Sequence, residues 1–365
     1  MTPAKVKRIG IITAGGDCPG LNAVIRAVVK TAIYRYGLEV MGFLDGYSGI
    51  IYDKSRMLAA ADASGILHRG GTILGTSNRD DPFRCPTMED GKKIFKDVSD
   101  QAIKNLKSHK IDVLIVIGGD GSLTIGDKLM QKGVPIVGIP KTIDNDLWGT
   151  DVTFGFDTAV QIATIAIDRL HTTAESHHRV MVVELMGRYA GWIALASGLA
   201  GGGDVILIPE IPYNTEKVCQ EIKNRHRRGK GFSIVIVAEG AAPQKGERVV
   251  QRVIEDSTEP IRLVGIGYKL GNEIEKKTSL ETRVTVLGHL LRGGSPSSFD
   301  RILATRFGHR AVELVMEGKF GRMVCLRGQE IKDIGLEKVG GRQRLVRPDG
   351  YLVKAARAIG ICFGD

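Results

Sequence analysis

Residues 140–146 read PKTIDND, directly after an apolar run. Thr142, Asp144 and Asp146 alternate with Ile143 and Asn145, and Lys141 stands beside them. In an extended chain, side chains two apart share a face. That spacing predicts one hydroxyl and two carboxylates pointing the same way. Paired carboxylates can divide a proton-transfer task. One takes the proton of an alcohol; the other orients it or holds a metal-bound water. Lys141 favours the ionised form of both. An Asp-rich turn closing a strand is the plainer alternative, and the strict alternation argues against it.

Other strand ends carry residues suited to anions. TAGGDCPGLN (13–22) places Gly15 and Gly16 between a strand and a helix. There backbone N–H groups and the helix dipole favour a phosphate. A tight turn without a ligand remains open. IGGDGSLT (117–124) is sharper. Asp120 is placed to hold Mg²⁺ against phosphates, Gly119 and Gly121 leave room, and Ser122 is a candidate helix cap. The motif suggests a phosphoryl donor without naming the acceptor. Arg79, in GGTILGTSNRDDPF (70–83), is either a phosphate bridge or a solvated loop arginine. Met186, Gly187 and Arg188 end one further apolar run and Glu239 another. His289 and Arg292 fall three apart, on one side if helical, as an anion clasp would; a histidine alone would more often be structural.

These residues need a scaffold that brings strand ends together. Continuous β-branched runs at 8–17, 39–49, 112–122, 134–144, 180–188, 204–210 and 232–240 indicate strands covered on both faces. Helix-like stretches lie between them, including 91–109, 122–133 and 214–229. Strand–turn–helix repetition predicts a doubly wound α/β fold, whose ligands sit beyond the carboxyl ends of the strands. With 365 residues the chain exceeds one ordinary core, so two lobes are expected. The composition is 43% hydrophobic and 25% charged, as in soluble globular proteins.

The formal net charge of +10 admits nucleic acid or small anionic metabolites as partners. The basic residues are scattered except for RHRRGK (225–230), where no aromatics interleave. A nucleic-acid binder would not explain acidic residues beyond strand ends. Five cysteines without metal-like spacing fit reduced thiols in a cytoplasmic protein. The first residues carry only a short apolar run into a glycine turn, neither signal peptide nor membrane span.

GGDCPGLN, GGDGS, PKTIDND, MGR and GHLLRGGSPSSFDR occur here in the order and rough spacing of the 6-phosphofructokinases. The chain resembles that family from about residue 7 to about 325. The resemblance implies two Rossmann-like lobes with mostly parallel sheets and an active site in the cleft between them. Residues 1–150 with about 285–340 would form the nucleotide lobe, and 151–284 with the C-terminal segment the sugar-phosphate lobe. It implies Asp144 as the base for the C1 hydroxyl of fructose 6-phosphate, with Thr142 and Asp146 beside it. Arg188 would stabilise the moving phosphoryl, Met186, Gly187 and Glu239 would contact the sugar, and His289 and Arg292 would hold the 6-phosphate. Arg179 and Arg283 match arginines lent across a subunit interface, so a homodimer or homotetramer is expected. Gly16, Tyr47, Arg79, Gly119, Gly121 and Ser122 match nucleotide positions, and Asp120 the Mg²⁺ position.

Two positions bear on the donor. Gly121 accompanies ATP in this family, because an aspartate there would fill and repel the α-phosphate space. Lys141 is usual in diphosphate users. The steric gate outweighs the lysine, so ATP is expected, with diphosphate as the alternative. Arg26, Asp204, Arg228 and Lys230 fall where relatives bind effectors, but His171 replaces a usual arginine there. The segment after 325 lies outside the compact bacterial pattern.

Overall fold

The apolar runs are strands, and their register shows why they are continuous rather than alternating. In chain order the strands and helices are β1 (Arg8–Thr13), α1 (Leu21–Tyr36), β2 (Glu39–Phe43), α2 (Tyr47–Ile51), β3 (Ser55–Met57), β4 (Cys85–Glu89), β5 (Lys92–Lys96), α3 (Ser99–Ser108), β6 (Val113–Gly118), α4 (Asp120–Gln131) and β7 (Ile136–Pro140). The chain continues through α5 (Phe156–His177), β8 (Val180–Leu185), α6 (Trp192–Ala200), β9 (Val205–Leu207), α7 (Thr215–Arg227), β10 (Ser233–Ala238), β11 (Val250–Val253), β12 (Ile261–Leu263) and α8 (Ile266–Thr278). It ends with β13 (Thr282–Val286), α9 (Ser298–Met316), β14 (Arg322–Arg327), β15 (Glu330–Gly335) and α10 (Tyr351–Ala358). This computed structural model describes residues 6–89, 91–244, 250–253, 261–263 and 265–365.

A seven-stranded sheet runs β15-β14-β7-β6-β1-β2-β3, parallel except at the two edge strands β15 and β3. A four-stranded sheet, β13-β8-β10-β9, is parallel throughout. All residues of β6, β8 and β10 are buried, as strands covered on both faces require. The fold is therefore α/β with two Rossmann-like lobes. The first sheet draws on residues 8–140 and 322–335, the second on 180–286. The largest apolar cluster runs unbroken from β1 and α1, through α9 and α5, to β8 and α6. Asp300, buried at the start of α9, accepts the backbone N–H and hydroxyl of Thr158 in the first turn of α5 at 2.8 and 2.5 Å. The two lobes thus share one core and one buried polar tie.

One predicted element is corrected. The helix expected over 91–109 is a strand followed by a helix. Lys92–Lys96 pairs antiparallel with Cys85–Glu89. The helix starts only where Asp97 accepts the N–H and hydroxyl of Ser99 at 2.9 and 2.6 Å. The β-favouring Ile94 and Phe95 in KKIFK suit a strand of a hairpin. Among the described residues no helix is long and apolar enough to cross a membrane.

Helices α1 and α9 touch where Gly308 lacks a side chain. A Cβ there would stand 2.7 Å from Ala27 Cβ and 2.9 Å from the Val24 carbonyl oxygen. Gly308→Val is expected to push the helices apart and cost about 1–3 kcal/mol, read as a lower urea midpoint with an unchanged slope. An unchanged midpoint would show that this contact yields freely.

Candidate active site

Three neighbouring strands of the first sheet end in turns that face one cleft. Beyond β1, Gly15 (φ 83°) donates its N–H to the Ser77 carbonyl at 2.9 Å. A Cβ on Gly16 would meet Arg292 Nη1 at 2.5 Å, so a side chain there would displace that guanidinium. Beyond β6, α4 begins at Asp120, with Gly121 and Ser122 in its first turn. Its first-turn N–H groups and dipole are suited to an anion. Ser122 was a candidate cap, but the cap position is Gly119 and no side-chain cap bond forms. Tyr47 is buried and does not face the cleft; its hydroxyl donates to the Ser122 carbonyl at 2.6 Å and props α4 from beneath.

Beyond β7 the chain is not extended. Lys141 is 3% exposed, its N–H donates to the Gly118 carbonyl at 2.9 Å, and its ammonium donates to the Gly16 carbonyl. Asn145 is left-handed at φ 52°, and its side-chain oxygen accepts the Thr153 N–H at 3.1 Å. The strand-based expectation for Thr142, Asp144 and Asp146 is corrected in conformation but not in direction. Ile143 and Asn145 are buried, while Thr142, Asp144 and Asp146 alternate with them on the cleft side. Internal hydrogen bonds, including the Asp144 N–H to Thr142 Oγ1 at 3.1 Å, replace the ladder that an extended strand would need.

The second lobe closes the other side. Arg188 and Tyr189, beyond β8, line the same cleft as Gly16, Gly119, Asp120, Gly121, Ser122, Lys141 and the two aspartates of the β7 turn. Met186 is buried, and Gly187 adopts φ 139°. The 3₁₀ helix Gly288–Arg292 brings Arg292 into the cleft, where Nη1 donates to the Asp17 carbonyl at 3.0 Å. His289 sits on that helix and is exposed. Arg79 is exposed on a loop tied to the first turn through Thr76 Oγ1, which donates to the Gly15 carbonyl at 2.6 Å. Arg179 and Arg283 lie elsewhere. Both pair with Glu281, at the start of β8 and β13, whereas the cleft lies beyond their ends.

Gly15 lines the cleft with its neighbour Gly16, and so do Tyr189 and Gln343, which the sequence reading does not single out. Gln343 belongs to the tail that the sequence pattern left aside. The pair Gly340–Gly341 ahead of Arg342, Gln343 and Arg344 was the available signal for a close approach.

The cleft mixes charges of both signs. Burial and the nearby Asp144 carboxylate push Glu239 up from 4.5 to about 7, while Arg188 and Arg292 pull it back. Glu239 is thus neutral in a range where an ordinary glutamate is ionised. Asp120, Asp144 and Asp146 edge one space, yet among the described residues no three His, Cys, Asp or Glu side chains form a cage. One or two carboxylates with room for phosphate oxygens and water fit a small hard cation such as Mg²⁺.

Glu239 has a consequence for stability. Below pH 4.5 both folded and unfolded chains hold the proton, and above about 7 neither does. Between those limits the folded chain binds more protons, so stability falls as pH rises. The interval from 4.5 to about 7 corresponds to on the order of 3 kcal/mol. Glu239→Gln should remove that loss, gaining on the order of 1–3 kcal/mol over the native chain between about pH 5 and pH 8 in urea unfolding. Parallel curves for the two proteins would mean that Glu239 titrates ordinarily.

Comparison with known proteins agrees with this geometry. A family model described as Phosphofructokinase matches residues 8–315. The chain is 54% identical over 362 residues to the ATP-dependent 6-phosphofructokinase 2 of Clostridium perfringens, covering 99% of each chain. It is 50% identical over 358 residues to the pyrophosphate–fructose 6-phosphate 1-phosphotransferase of Streptomyces coelicolor, covering 98% of this chain and all of that one. The crystal structure of Pichia pastoris phosphofructokinase in the T-state superposes with a TM-score of 0.78 at 34% identity. That match covers 92% of this chain and 35% of the longer yeast chain. On the extent of these matches, the chain belongs to the phosphofructokinase family.

Proposed function

We propose that the protein is an ATP-dependent 6-phosphofructokinase, moving the γ-phosphoryl of ATP to the C1 hydroxyl of fructose 6-phosphate and giving fructose 1,6-bisphosphate and ADP. The observation that carries this reading is Asp120 and Asp144 on the rim of one cleft, with the first turn of α4 beside them. Donor and acceptor can meet only where an anion-binding helix end and a base face the same space.

On this reading Asp144 takes the C1 hydroxyl proton as the oxygen attacks, and Thr142 orients Asp144 through its backbone N–H. Arg188, on the second-lobe side of the cleft, meets the charge of the transferring group. Asp120 would hold Mg²⁺ with Asp146 nearby; bound, that ion neutralises phosphate charge. Gly119, Gly121, Ser122 and Gly16 would receive the nucleotide phosphates, with Tyr47 fixing the α4 turn and Arg79 approaching from its loop. Met186, Gly187 and Glu239 would face the sugar; a protonated Glu239 can donate to a sugar hydroxyl and accept from another. Arg292 and His289 would hold the 6-phosphate. Arg179 and Arg283, remote from this cleft, suit a neighbouring subunit's sugar-phosphate site, which implies a homodimer or homotetramer. The cytoplasm, where both substrates occur, is the implied compartment.

The donor choice rests on Gly121 at the second residue of α4, where an aspartate would set a negative side chain at the phosphate-binding end. Lys141 is the residue favouring diphosphate, and a relative named for pyrophosphate is similar over the full chain. The Lys141 ammonium, however, is engaged by the Gly16 carbonyl. Its task includes holding the glycine turn, which either donor would need.

A coupled assay with fructose 6-phosphate should give turnover with ATP and little with pyrophosphate; the reverse would overturn the donor assignment. Gly121→Asp should cut ATP use far more than sugar-phosphate binding. Asp144→Asn should lower kcat by about 10²–10⁴ while KM for both substrates changes little, and a kcat close to native would remove Asp144 as the base.

A further inference from the structure

Residues 340–346 leave the first sheet after β15 and cross to the second lobe. Along the way they touch the two acidic turns at the ends of β6 and β7. The Gly341 N–H donates to Asp120 Oδ1 at 3.0 Å. Gln343 pairs antiparallel with Leu147 and lines the cleft. Arg344 then makes four contacts. Its N–H donates to the Asp146 carbonyl at 2.7 Å, and Nη1 donates to the Asn145 carbonyl at 3.1 Å. Its guanidinium stacks 4.1 Å above the Trp192 ring, and its own carbonyl accepts the Trp192 Nε1–H at 2.7 Å. Trp192 opens α6 in the second lobe. Two residues on, the Val346 N–H donates to Glu210 Oε1 at 2.8 Å, and the same carboxylate accepts the Gly191 N–H at 3.0 Å.

We propose that Arg344 is a positioning residue for phosphoryl transfer, fixing the left-handed Asn145 turn that aims Asp144 and Asp146 and holding it in register with the Arg188 side of the second lobe. Asn145 at φ 52° occupies a region that is unfavourable for most residues and persists when its surroundings over-determine it. Two consecutive carbonyls of that turn, those of Asn145 and Asp146, receive their donors from Arg344. One of these bonds is charge-assisted. A planar guanidinium can stack on Trp192 and donate edgewise at once; an ammonium cannot. A displacement of about 1 Å at reacting groups costs about 100-fold in rate, so a loosened turn reads out in kcat before it reads out in binding.

The inference rests on the phosphofructokinase reading for its kinetic arm only. Arg344→Ala, Arg344→Lys and Trp192→Phe would be compared with the native enzyme by steady-state kinetics and by amide hydrogen exchange at residues 141–147. Expected for Arg344→Ala is a kcat at least about tenfold lower, KM values within about threefold, and faster exchange at 141–147 with α7 and α8 unchanged. Arg344→Lys should recover little of the loss, and Trp192→Phe, which removes one donor but keeps a ring, should fall between. Full recovery of kcat by Arg344→Lys, or exchange at 141–147 equal to native, would overturn the proposal. So would a fall in rate that only tracks the folded fraction. If the native protein transferred phosphoryl from neither ATP nor pyrophosphate, the functional reading would fail while exchange at 141–147 still decided the role of Arg344. Should Arg344→Ala not fold, the lysine and phenylalanine variants carry the same decision.

Discussion

The buried ammonium of Lys141 is the constraint on which the cleft depends. A cation removed from water costs several kcal/mol unless acceptors and opposite charges are matched around it. Here the backbone of Lys141 is bonded to the end of β6 and its side chain to the turn after β1, while the residue itself closes β7. One residue, through its backbone and its side chain together, therefore links three strand-end turns. Asp120, Asp144 and Asp146 supply negative charge to the same space, with Arg188 and Arg292 opposite. Where burial and charge compete, burial wins away from these pairs. The thiol of Cys18 is pushed up to about 12 by burial, although Lys141 and Arg292 both pull it down. Cys18 is therefore packing in this cleft's wall and no nucleophile.

The core strands were legible because a strand covered on both faces is mostly apolar, and β1, β6, β7, β8 and β10 are, with Arg8, Thr13, Glu184 and Ser233 as the polar exceptions. The acidic motif was legible for a subtler reason. Its alternation tracked burial, which survived even though the backbone turned; Ile143 and Asn145 are anchored inward by packing and by Thr153 rather than by a ladder. What failed was local. The 91–109 stretch carries lysines at spacings that serve a helix surface or a hairpin edge, and only pairing with Cys85–Glu89 decides between them. Tyr47 matches a nucleotide position in the family pattern, and a short window does not report that its hydroxyl donates to the Ser122 carbonyl. Gln343 and Arg344 were invisible because nothing in a short window reports that a tail will return some 200 residues later to Asn145.

The basic balance of the chain has a similar division between local and long-range causes. RHRRGK reads as a cationic run, and its position at the end of α7 suits a helix C-terminus. One member is engaged at long range: Arg225 pairs with Asp204 at 2.8 Å and approaches Ser233 Oγ at 3.3 Å. Burial raises the Asp204 carboxyl, against the Ile234 N–H and Arg225 that favour its ionised form. That pair fastens the starts of β9 and β10, so part of the run is structural and not available to an anion as it stands.

The Asp144 carboxylate acts electrostatically on Glu239, and that coupling links substrate charge to protonation. Glu239 sits near neutrality because burial and Asp144 outweigh Arg188 and Arg292. On the phosphofructokinase reading, two phosphorylated substrates add negative charge and occupy those same guanidiniums. Both changes remove what opposes proton uptake, so Glu239 is driven further toward the neutral acid as the complex forms. A neutral Glu239 relieves repulsion on Asp144. The division of labour between two carboxyls follows from where each is buried, and it is kept in place by whatever holds the lobes in register.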